Sequence, residues 1–228
     1  MKYIVIGLGY FGSTLAQKLT LSGNEVIAVD KKMERVDAIK EHVTHAICMD
    51  CSEEVVVKSL PLKDTDVVLV AIGENQGASI MITALLKQLK VKKIISRAVS
   101  PLQKTVLHAM GITEIIHPEE EAAERWANKL NMIGTIDSFV VNKNYCLIEV
   151  KAPKKYIGKT IGEIDFIKSH NLLVLSVVKL SKEENLIGVM QNISKIKGIA
   201  SAETKIKEDD VLLIYGENED IKDFLALV

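Results

Sequence analysis

Short apolar runs alternate with helical stretches through roughly the first 130 residues of the chain. The runs are rich in β-branched residues, which favour strands, and the stretches between them are long enough for helices. The predicted strands are Tyr3–Ile6, Glu25–Val29, Ala46–Met49, Asp66–Ile72, Lys93–Arg97 and Glu114–Ile116. The predicted helices cover residues 12–22, 33–41, 53–59, 76–89, 101–110 and 119–131.

This alternation predicts an α/β fold. Strands separated by helices pair in parallel through right-handed crossovers. The continuous apolar run at 66–72 is typical of a strand that is covered on both faces. We therefore expect a doubly wound, parallel, six-stranded Rossmann sheet without large insertions.

The pattern changes after residue 135, where β runs are no longer separated by regular helices. Short helical stretches are predicted only near 160–169 and 218–227, and glycines interrupt the segment. These features predict a small α+β lobe with a mostly antiparallel sheet, and hence two domains, 1–133 and 136–228. The β runs of this lobe are Phe139–Val141, Cys146–Val150, Leu172–Val178 and Val211–Tyr215.

A glycine motif, Gly7-x-Gly9-x-x-Gly12, joins the first predicted strand to the first predicted helix. In nucleotide-binding βαβ units the first glycine makes a tight turn and the second lets the backbone approach a phosphate. The third lets helix and strand pack closely. The helix N-terminus then offers free N–H groups and a positive dipole end to an anion.

The second predicted strand is followed by Asp30, which lies 23 residues after Gly7. An acid at this place accepts hydrogen bonds from ribose hydroxyls in the same kind of unit. It favours ligands with a free 2′-hydroxyl, such as NAD, ATP or ADP, over NADP. Lys31 and Lys32 follow at once and weaken that preference. The alternative is a glycine turn and a helix-capping aspartate without a ligand.

Composition narrows the function further. The net charge of −1 gives no field that attracts nucleic acid, and 4% aromatic residues argue against base-stacking surfaces. Three cysteines suit a reducing compartment better than a disulfide framework. Lys2 and the apolar run behind it look like a signal peptide, but the glycine motif explains that run better. We therefore expect a cytoplasmic protein that binds no nucleic acid.

Together these motifs resemble the RCK domains, the cytoplasmic subunits of bacterial Trk/Ktr-type potassium uptake systems. The resemblance rests on the glycine motif, Asp30, Val70–Asn75, Arg97-Ala and Ile115–Glu119. It implies a homodimer that assembles into an octameric ring beneath a membrane-embedded potassium-translocating subunit. It also implies that exchange of an adenine nucleotide, ATP/ADP or NAD/NADH, changes the ring and gates the pore at the inner face of the membrane.

The same resemblance assigns cofactor-binding residues. The glycine loop would line the diphosphate, Asp30 the ribose, Asp50 the adenosine, and Arg97 the phosphates. Glu119 matches a position that approaches a nucleotide or a divalent cation near a subunit interface. Tyr10 is a departure, because relatives often carry Arg there, which leaves the choice between ATP and ADP open. The full set is Gly7, Gly9, Tyr10, Phe11, Gly12, Asp30, Lys31, Asp50, Cys51, Ala71, Ile72, Gly73, Asn75, Arg97 and Glu119.

Some members of the family also bind cyclic di-AMP between paired C-terminal lobes. A segment of this chain resembles that apolar-plus-amide pocket, although an ordinary amphipathic helix leading into a strand explains it equally well. The residues are Ile161, Ile164, Ile167, His170, Asn171 and Leu172.

Two further groups carry candidate chemistry. His42, His45, Cys48 and Cys51 recur at three-residue spacing, and four such ligands would suit zinc or a redox pair. That spacing does not keep four side chains on one side of a strand, so a metal or redox role is disfavoured. His117 could act as an acid or base, although a strand-end histidine before Pro118 is the simpler interpretation.

Three functions are compatible with a nucleotide fold. A gating subunit without catalytic residues fits the motifs best. An NAD-dependent oxidoreductase with a small substrate domain would need an acid or base near the nicotinamide, and the C-terminal lobe offers only His170. A redox-sensing transcription regulator would need a helix-turn-helix or a basic patch, and the sequence displays neither.

Overall fold

A computed structural model describes residues 1–131, 135–184 and 190–226. The chain divides into two compact units, Met1–Glu121 and Ala122–Val228. The division falls inside a helix, Pro118–Asn131, and lies 12 residues before the predicted end of the first domain at 133 (133 − 121).

The first unit contains one parallel sheet with helices between its strands. The strands are β1 Lys2–Ile6, β2 Glu25–Asp30, β3 His45–Cys48, β4 Val67–Val70, β5 Ile94–Arg97 and β6 Glu114–Ile116. The helices between these strands are α1 Tyr10–Leu21, α2 Met33–Ile39, α3 Glu54–Lys58, α4 Gln76–Gln88 and α5 Pro101–Ala109, and α6 Pro118–Asn131 begins in this unit after β6. The strand order is β3-β2-β1-β4-β5-β6. This is the predicted doubly wound six-stranded sheet, and the fold class is confirmed.

Alternation within each strand explains why both faces of this sheet are covered. Ile4 and Ile6 of β1 pack into one hydrophobic cluster, whereas Val5 packs into a second cluster on the other face. In β4 all four residues, Val67–Val70, are buried and divide between the same two clusters. Successive side chains of a strand point to opposite faces, so a continuous apolar run fills two layers at once.

The boundaries of two elements in the first unit differ from expectation by two residues. Strand β4 ends at Val70 instead of residue 72, and α1 begins at Tyr10 instead of residue 12. The reason is that Gly9 already serves as the N-cap of α1. The turn is therefore shorter than the motif suggests.

The second unit is built around an antiparallel sheet in the order β10-β9-β11-β8-β7. Its strands are β7 Thr135–Val140, β8 Tyr145–Lys151, β9 Leu173–Glu184, β10 Met190–Ile199 and β11 Asp210–Glu217. Its short helices are α7 Ile161–Ile164, α8 Phe166–His170 and α9 Asn218–Leu225. The predicted α+β character and antiparallel pairing are confirmed.

Two elements of this unit differ from the prediction. The helical stretch at 160–169 is two helices, because Asp165 adopts a left-handed conformation (φ 50°) between them. Strand β10 was not predicted at all. Apolar residues recur there every third position, at Ile193, Ile196 and Ile199, so the sequence lacks the two-residue period of a strand. Pairing with β9 imposes the extended conformation, with an irregularity between Ile196 and Ile199.

Candidate functional site

The candidate site lies where the strand order of the parallel sheet reverses. Strands β2 and β4 pair with opposite edges of β1. The chain therefore adds β2 and β3 on one side of β1 and β4, β5 and β6 on the other. Ligands of open α/β sheets bind outside the carboxyl ends of the strands at such a reversal. The turn after β1 and the loops after β2, β4, β5 and β6 surround this position.

The three glycines of the turn after β1 have different local surroundings. Gly7 has φ +97°, and a Cβ atom there would lie 2.8 Å from Ile72 Cγ1. A Cβ atom on Gly12 would lie 1.9 Å from the Gly7 carbonyl oxygen, so α1 packs directly on the turn. A Cβ atom on Gly9, by contrast, would have no heavy atom within 4 Å. The packing of the protein itself therefore requires the first and third glycines but not the second.

The open space at Gly9 lies beside the N-terminus of α1. Gly9 is the N-cap residue of this helix and carries no side chain to cap it. The first N–H groups of a helix lack intrahelical acceptors, and the helix dipole makes this end positive. The arrangement fits a phosphate, which needs a backbone without side-chain obstruction and several N–H donors. Tyr10, the first residue of α1, is 93% exposed.

Asp30, at the end of β2, is held rigidly beside this turn. Its Oδ2 atom accepts a hydrogen bond from the Leu8 backbone N–H at 2.7 Å, and its Oδ1 atom accepts one from the Lys32 backbone N–H at 2.8 Å. The residue is only 6% exposed. Each carboxylate oxygen has two lone pairs, so both oxygens can accept a further hydrogen bond from a ligand hydroxyl. This geometry fits a carboxylate that binds ribose.

An ion-pair network extends from Asp30 across the cleft. Arg35 Nη1 lies 3.5 Å from Asp30 Oδ2, and Arg35 Nη2 donates to Glu74 Oε1 in the loop after β4. The hydrogen bond to Glu74 is the main cause that raises the pKa of Arg35 above its ordinary value. The same bond lowers the pKa of Glu74. Sequence reasoning assigned no role to Arg35 or Glu74; the only sequence signal is that both charges follow strands that flank the glycine turn.

Arg97 connects the other side of the cleft. Its guanidinium lies over the Phe11 ring, 5.5 Å from the centroid, and pairs with Glu119. A Cβ atom on Gly73 would lie 2.8 Å from Arg97 Nη1, so a side chain there would displace the end of the arginine. The structure thus brings Phe11, Gly73, Arg97 and Glu119 together, as a shared ligand would require.

The remaining predicted cofactor residues contribute less directly. Asp50 accepts hydrogen bonds from the Ser52 hydroxyl and then from the Ser52 backbone N–H, which lower the pKa of its carboxyl. Asn75 Oδ1 caps α4 by accepting from the Ala78 N–H at 2.9 Å. Cys51 is buried in the core, and burial raises the pKa of its thiol to about 12. The Cys51 side chain therefore faces the interior instead of the cleft.

The cysteine and histidine series does not form a metal site in the described residues, which include all of 1–131. Cys48 is exposed and Cys51 is buried, and both are free thiols. His42 and His45 are exposed. Strand β3 ends between the two cysteines, which sends their side chains in different directions, as the three-residue spacing indicated.

His117 lines a cleft of about 300 Å³ at the ends of β5 and β6, which shares Glu119 with the candidate site. Its Nδ1 atom lies 3.7 Å from Glu120 Oε2, and its Nε2 atom is buried without a hydrogen-bond partner. The contact with Glu120, three residues along the chain, fits the strand-end interpretation. The other lining residues are Ala98, Val99, Ser100, Pro101, Lys104, Glu119 and Glu120.

The six residues considered for cyclic di-AMP lie on α7, α8 and the start of β9. Ile164 and Leu172 belong to the hydrophobic core of the second unit, and Ile161 packs against it. His170 Nε2 is hydrogen-bonded to the Tyr156 hydroxyl, and Asn171 Nδ2 donates to Asp220 Oδ2 at 2.7 Å. Ile167 is 63% exposed. Of the six, Ile167 and Asn171 are exposed, Ile161 and His170 are partly exposed, and Ile164 and Leu172 are buried.

Across the described residues, no helix is both long and apolar enough to cross a membrane.

Comparison with known proteins follows the two units of the fold. Residues 3–118 match the TrkA-N domain and residues 147–228 match the TrkA-C domain. The Ktr system potassium uptake proteins C and A of Bacillus subtilis (strain 168) are each 30% identical to the chain. Each alignment covers 98% of this chain and 95% of the relative.

Solved structures show the same fold. The GsuK RCK domain aligns over 100% of this chain and 47% of its own, with a TM-score of 0.61 and 15% identity. The GsuK channel bound to NAD aligns over 98% of this chain and 39% of its own, with a TM-score of 0.60 and 16% identity. These similarities establish the RCK-type architecture of the chain.

Proposed function

Because this chain belongs to the family of TrkA-type proteins, which combine a TrkA-N domain with a TrkA-C domain, we propose that it is the regulatory subunit of a potassium uptake system. It would act in the cytoplasm, at the inner face of the membrane, through a membrane-embedded potassium-translocating partner. The names of its Ktr relatives support this assignment. The observation that carries it is the open space at Gly9 beside the rigid carboxylate of Asp30.

The ligand of this cleft is an adenine nucleotide. The N-terminus of α1 would bind the diphosphate, Asp30 the ribose hydroxyls, and Arg97 the negative charge at the far side. Both ATP/ADP and NAD/NADH contain the adenosine diphosphate unit that these groups fit. A structural neighbour, the GsuK channel, is described as bound to NAD, which supports the choice of ligand class.

The proposed role is conformational instead of catalytic. A nucleotide shifts an assembly between two shapes only by its difference in affinity for them. One site supplies about 1–3 kcal/mol of coupling, whereas moving an equilibrium from about 1:99 to 99:1 takes roughly 5.5 kcal/mol. Several copies acting together are therefore needed. A homodimer that assembles into an octameric ring meets this requirement.

An oxidoreductase fits these residues less well. Its catalysis would need an accessible acid or base next to the nicotinamide. His117 Nδ1 lies 3.7 Å from Glu120 Oε2 within the same segment, and His170 Nε2 is hydrogen-bonded to the Tyr156 hydroxyl, so neither histidine is set in a catalytic constellation. We therefore propose that the protein is not an enzyme.

Thermal-shift titration with ATP, ADP, NAD and NADH tests the proposal, together with the Gly9→Ala variant. A ligand at about 100 times its dissociation constant should stabilise the protein by about 2.7 kcal/mol. Gly9→Ala should leave the unliganded melting temperature unchanged, because its Cβ atom meets nothing within 4 Å, but should weaken nucleotide binding. Gly77→Ala, in ordinary contact at 3.4 Å, is the matched control and should retain binding.

The proposal would be overturned if none of the four nucleotides stabilised the wild type, or if Gly9→Ala bound them as well as the control. The molar mass in solution, measured in the same samples, tests the ring. A monomer with and without nucleotide would contradict it.

Two further ligands belong in the same titration. Cyclic di-AMP is proposed to bind the surface formed by Ile167, His170 and Asn171 in paired second units. A divalent cation is proposed at Glu119, where it would have to compete with the Arg97 guanidinium. Binding that persists in Ile167→Asp or in Glu119→Gln, respectively, would refute these assignments.

A further inference from the structure

The ion-pair network at the ends of β2 and β4 has a feature that the proposed nucleotide site does not require. Glu74 pairs with two cations at once. Its Oε1 atom accepts from Arg35 Nη2, and its Oε2 atom lies 3.7 Å from Lys32 Nζ. Arg35 Nη1 also lies 3.5 Å from Asp30 Oδ2. Two carboxylates and two cations therefore form one group without net charge.

The position of this network follows from the sheet order. Arg35 and Lys32 follow β2, Glu74 follows β4, and these two strands lie on either side of β1. The pairs to Glu74 therefore join the two loops that flank the glycine turn, at the same edge of the sheet. Any molecule that places its ribose on Asp30 lies next to both cations.

The side chains of the network differ in how far they are exposed and fixed by hydrogen bonds. Asp30 is fixed by two backbone N–H donors and is almost fully buried. The side chains of Arg35, Lys32 and Glu74 are 27%, 51% and 67% exposed. The acid that binds the ribose is therefore rigid, whereas the charges around it can change partners.

We propose that Glu74 is a specificity-determining residue of the nucleotide site. By holding Arg35 and Lys32, it keeps these cations from binding a phosphate on the ribose 2′-oxygen, and the cleft thereby selects nucleotides with a free 2′-hydroxyl. This inference rests on the proposed nucleotide binding and names its substrate class. Asp30 alone does not explain the selection, because an arginine near such an acid is the group that accommodates a 2′-phosphate.

Charge balance gives the size of the effect. A guanidinium binds phosphate through paired, charge-assisted hydrogen bonds, and its planar fork matches that geometry. Removing the charge of Glu74 leaves two cations facing one acid. A single hydrogen bond to a charged group changes affinity by about tenfold or more. The discrimination against a 2′-phosphate should therefore fall at least about tenfold in Glu74→Gln.

Calorimetric titration with two ligand pairs tests this inference. AMP and adenosine 2′,5′-bisphosphate differ only by the 2′-phosphate, and so do NADH and NADPH. Wild type should prefer the member with the free hydroxyl in each pair, and Glu74→Gln should reduce that preference at least about tenfold. The double variant Arg35→Gln/Glu74→Gln should lose the affinity for the 2′-phosphorylated ligand that Glu74→Gln gains.

Glu114→Gln is the matched control. Glu114 is an exposed glutamate paired with a lysine, Lys93, but it begins β6 and so lies at the amino edge of the sheet, away from the cleft. This variant changes the net charge equally and should keep the wild-type preference. An equal shift in Glu114→Gln would mean a general charge effect and would overturn the inference.

The outcomes separate the two proposals. Wild type that binds AMP or NADH, with an unchanged preference in Glu74→Gln, overturns the role of Glu74 and leaves the proposed function intact. Wild type that binds neither member of either pair, nor ATP, ADP or NAD, overturns both.

Discussion

The two units of the chain use their sheets in opposite ways. In the first unit every strand is parallel, so the loops that follow β1, β2, β4, β5 and β6 emerge at one edge. Charged side chains from different segments pair there in two groups, Arg35 with Asp30 and Glu74, and Arg97 with Glu119.

In the second unit the strands are antiparallel, so successive loops leave at alternating edges and no single edge collects them. The interior instead holds an aromatic cluster of Tyr156, Phe166, His170 and Phe224. On β9, exposed Leu173 and Leu175 flank buried Val174. The comparison teaches that the first unit places its chemistry in loops, whereas the second offers a packed core and an apolar surface.

The largest effect is expected from Phe224→Ala in the second unit. Phe224 is fully buried, with ring centroids 5.9 Å from Phe166 and 5.3 Å from His170. Its loss should lower the free energy of unfolding by about 3–5 kcal/mol, because a cavity remains in the core. Urea unfolding followed by circular dichroism measures this.

Phe139→Ala is the control for that prediction. Phe139 is exposed, and its ring lies beneath the Arg125 guanidinium. A cation–π contact of this kind contributes about 0.5–1 kcal/mol at exposed sites. Equal losses in the two variants would contradict the assignment of Phe224 to the core.

A smaller loss of stability is expected from Gly12→Ala in the first unit. The new Cβ atom would lie 1.9 Å from the Gly7 carbonyl oxygen, which is backbone and must move. Such overpacking costs about 1–3 kcal/mol. Because Gly9→Ala is expected to keep wild-type stability, the pair of variants separates packing from ligand approach. Thermal unfolding without ligand checks this, and a normal melting temperature for Gly12→Ala would refute it.

The smallest effect concerns pH and the second unit. Burial, and then the nearby Lys155, lower the pKa of His170 from its ordinary 6.5. The unfolded chain therefore binds this proton more readily than the folded chain does. The stability conferred by neutral His170 is full above about pH 6.5 and is lost as the pH falls through the folded-state pKa.

Comparing His170→Asn with wild type between neutral and mildly acidic pH tests this linkage. The variant should lose less free energy of unfolding on acidification than wild type does. The control is His45→Asn, which replaces an exposed histidine of the first unit. On acidification it should lose as much free energy of unfolding as wild type does. Parallel pH profiles for wild type and His170→Asn would show that His170 contributes nothing.

The sequence predicted most of the first unit because local signals agree there with the final structure. The strands alternate with helices, the apolar run at Val67–Val70 fills two layers, and the glycine motif joins β1 to α1. It predicted less of the second unit. Strand β10 has no strand period of its own, and the break at Asp165 depends on a left-handed residue that the sequence does not mark.

The sequence by itself determined the order of elements in the first unit, the fold class and the residues of the glycine turn, because these depend on near neighbours along the chain. Only the tertiary structure decided that Arg35 and Glu74 form a pair, that Arg97 meets Glu119, and that Cys51 and Leu172 are core residues. The physical reason is that a parallel sheet brings distant loops to one edge. Charge pairing and burial are set by that convergence, which no local pattern records.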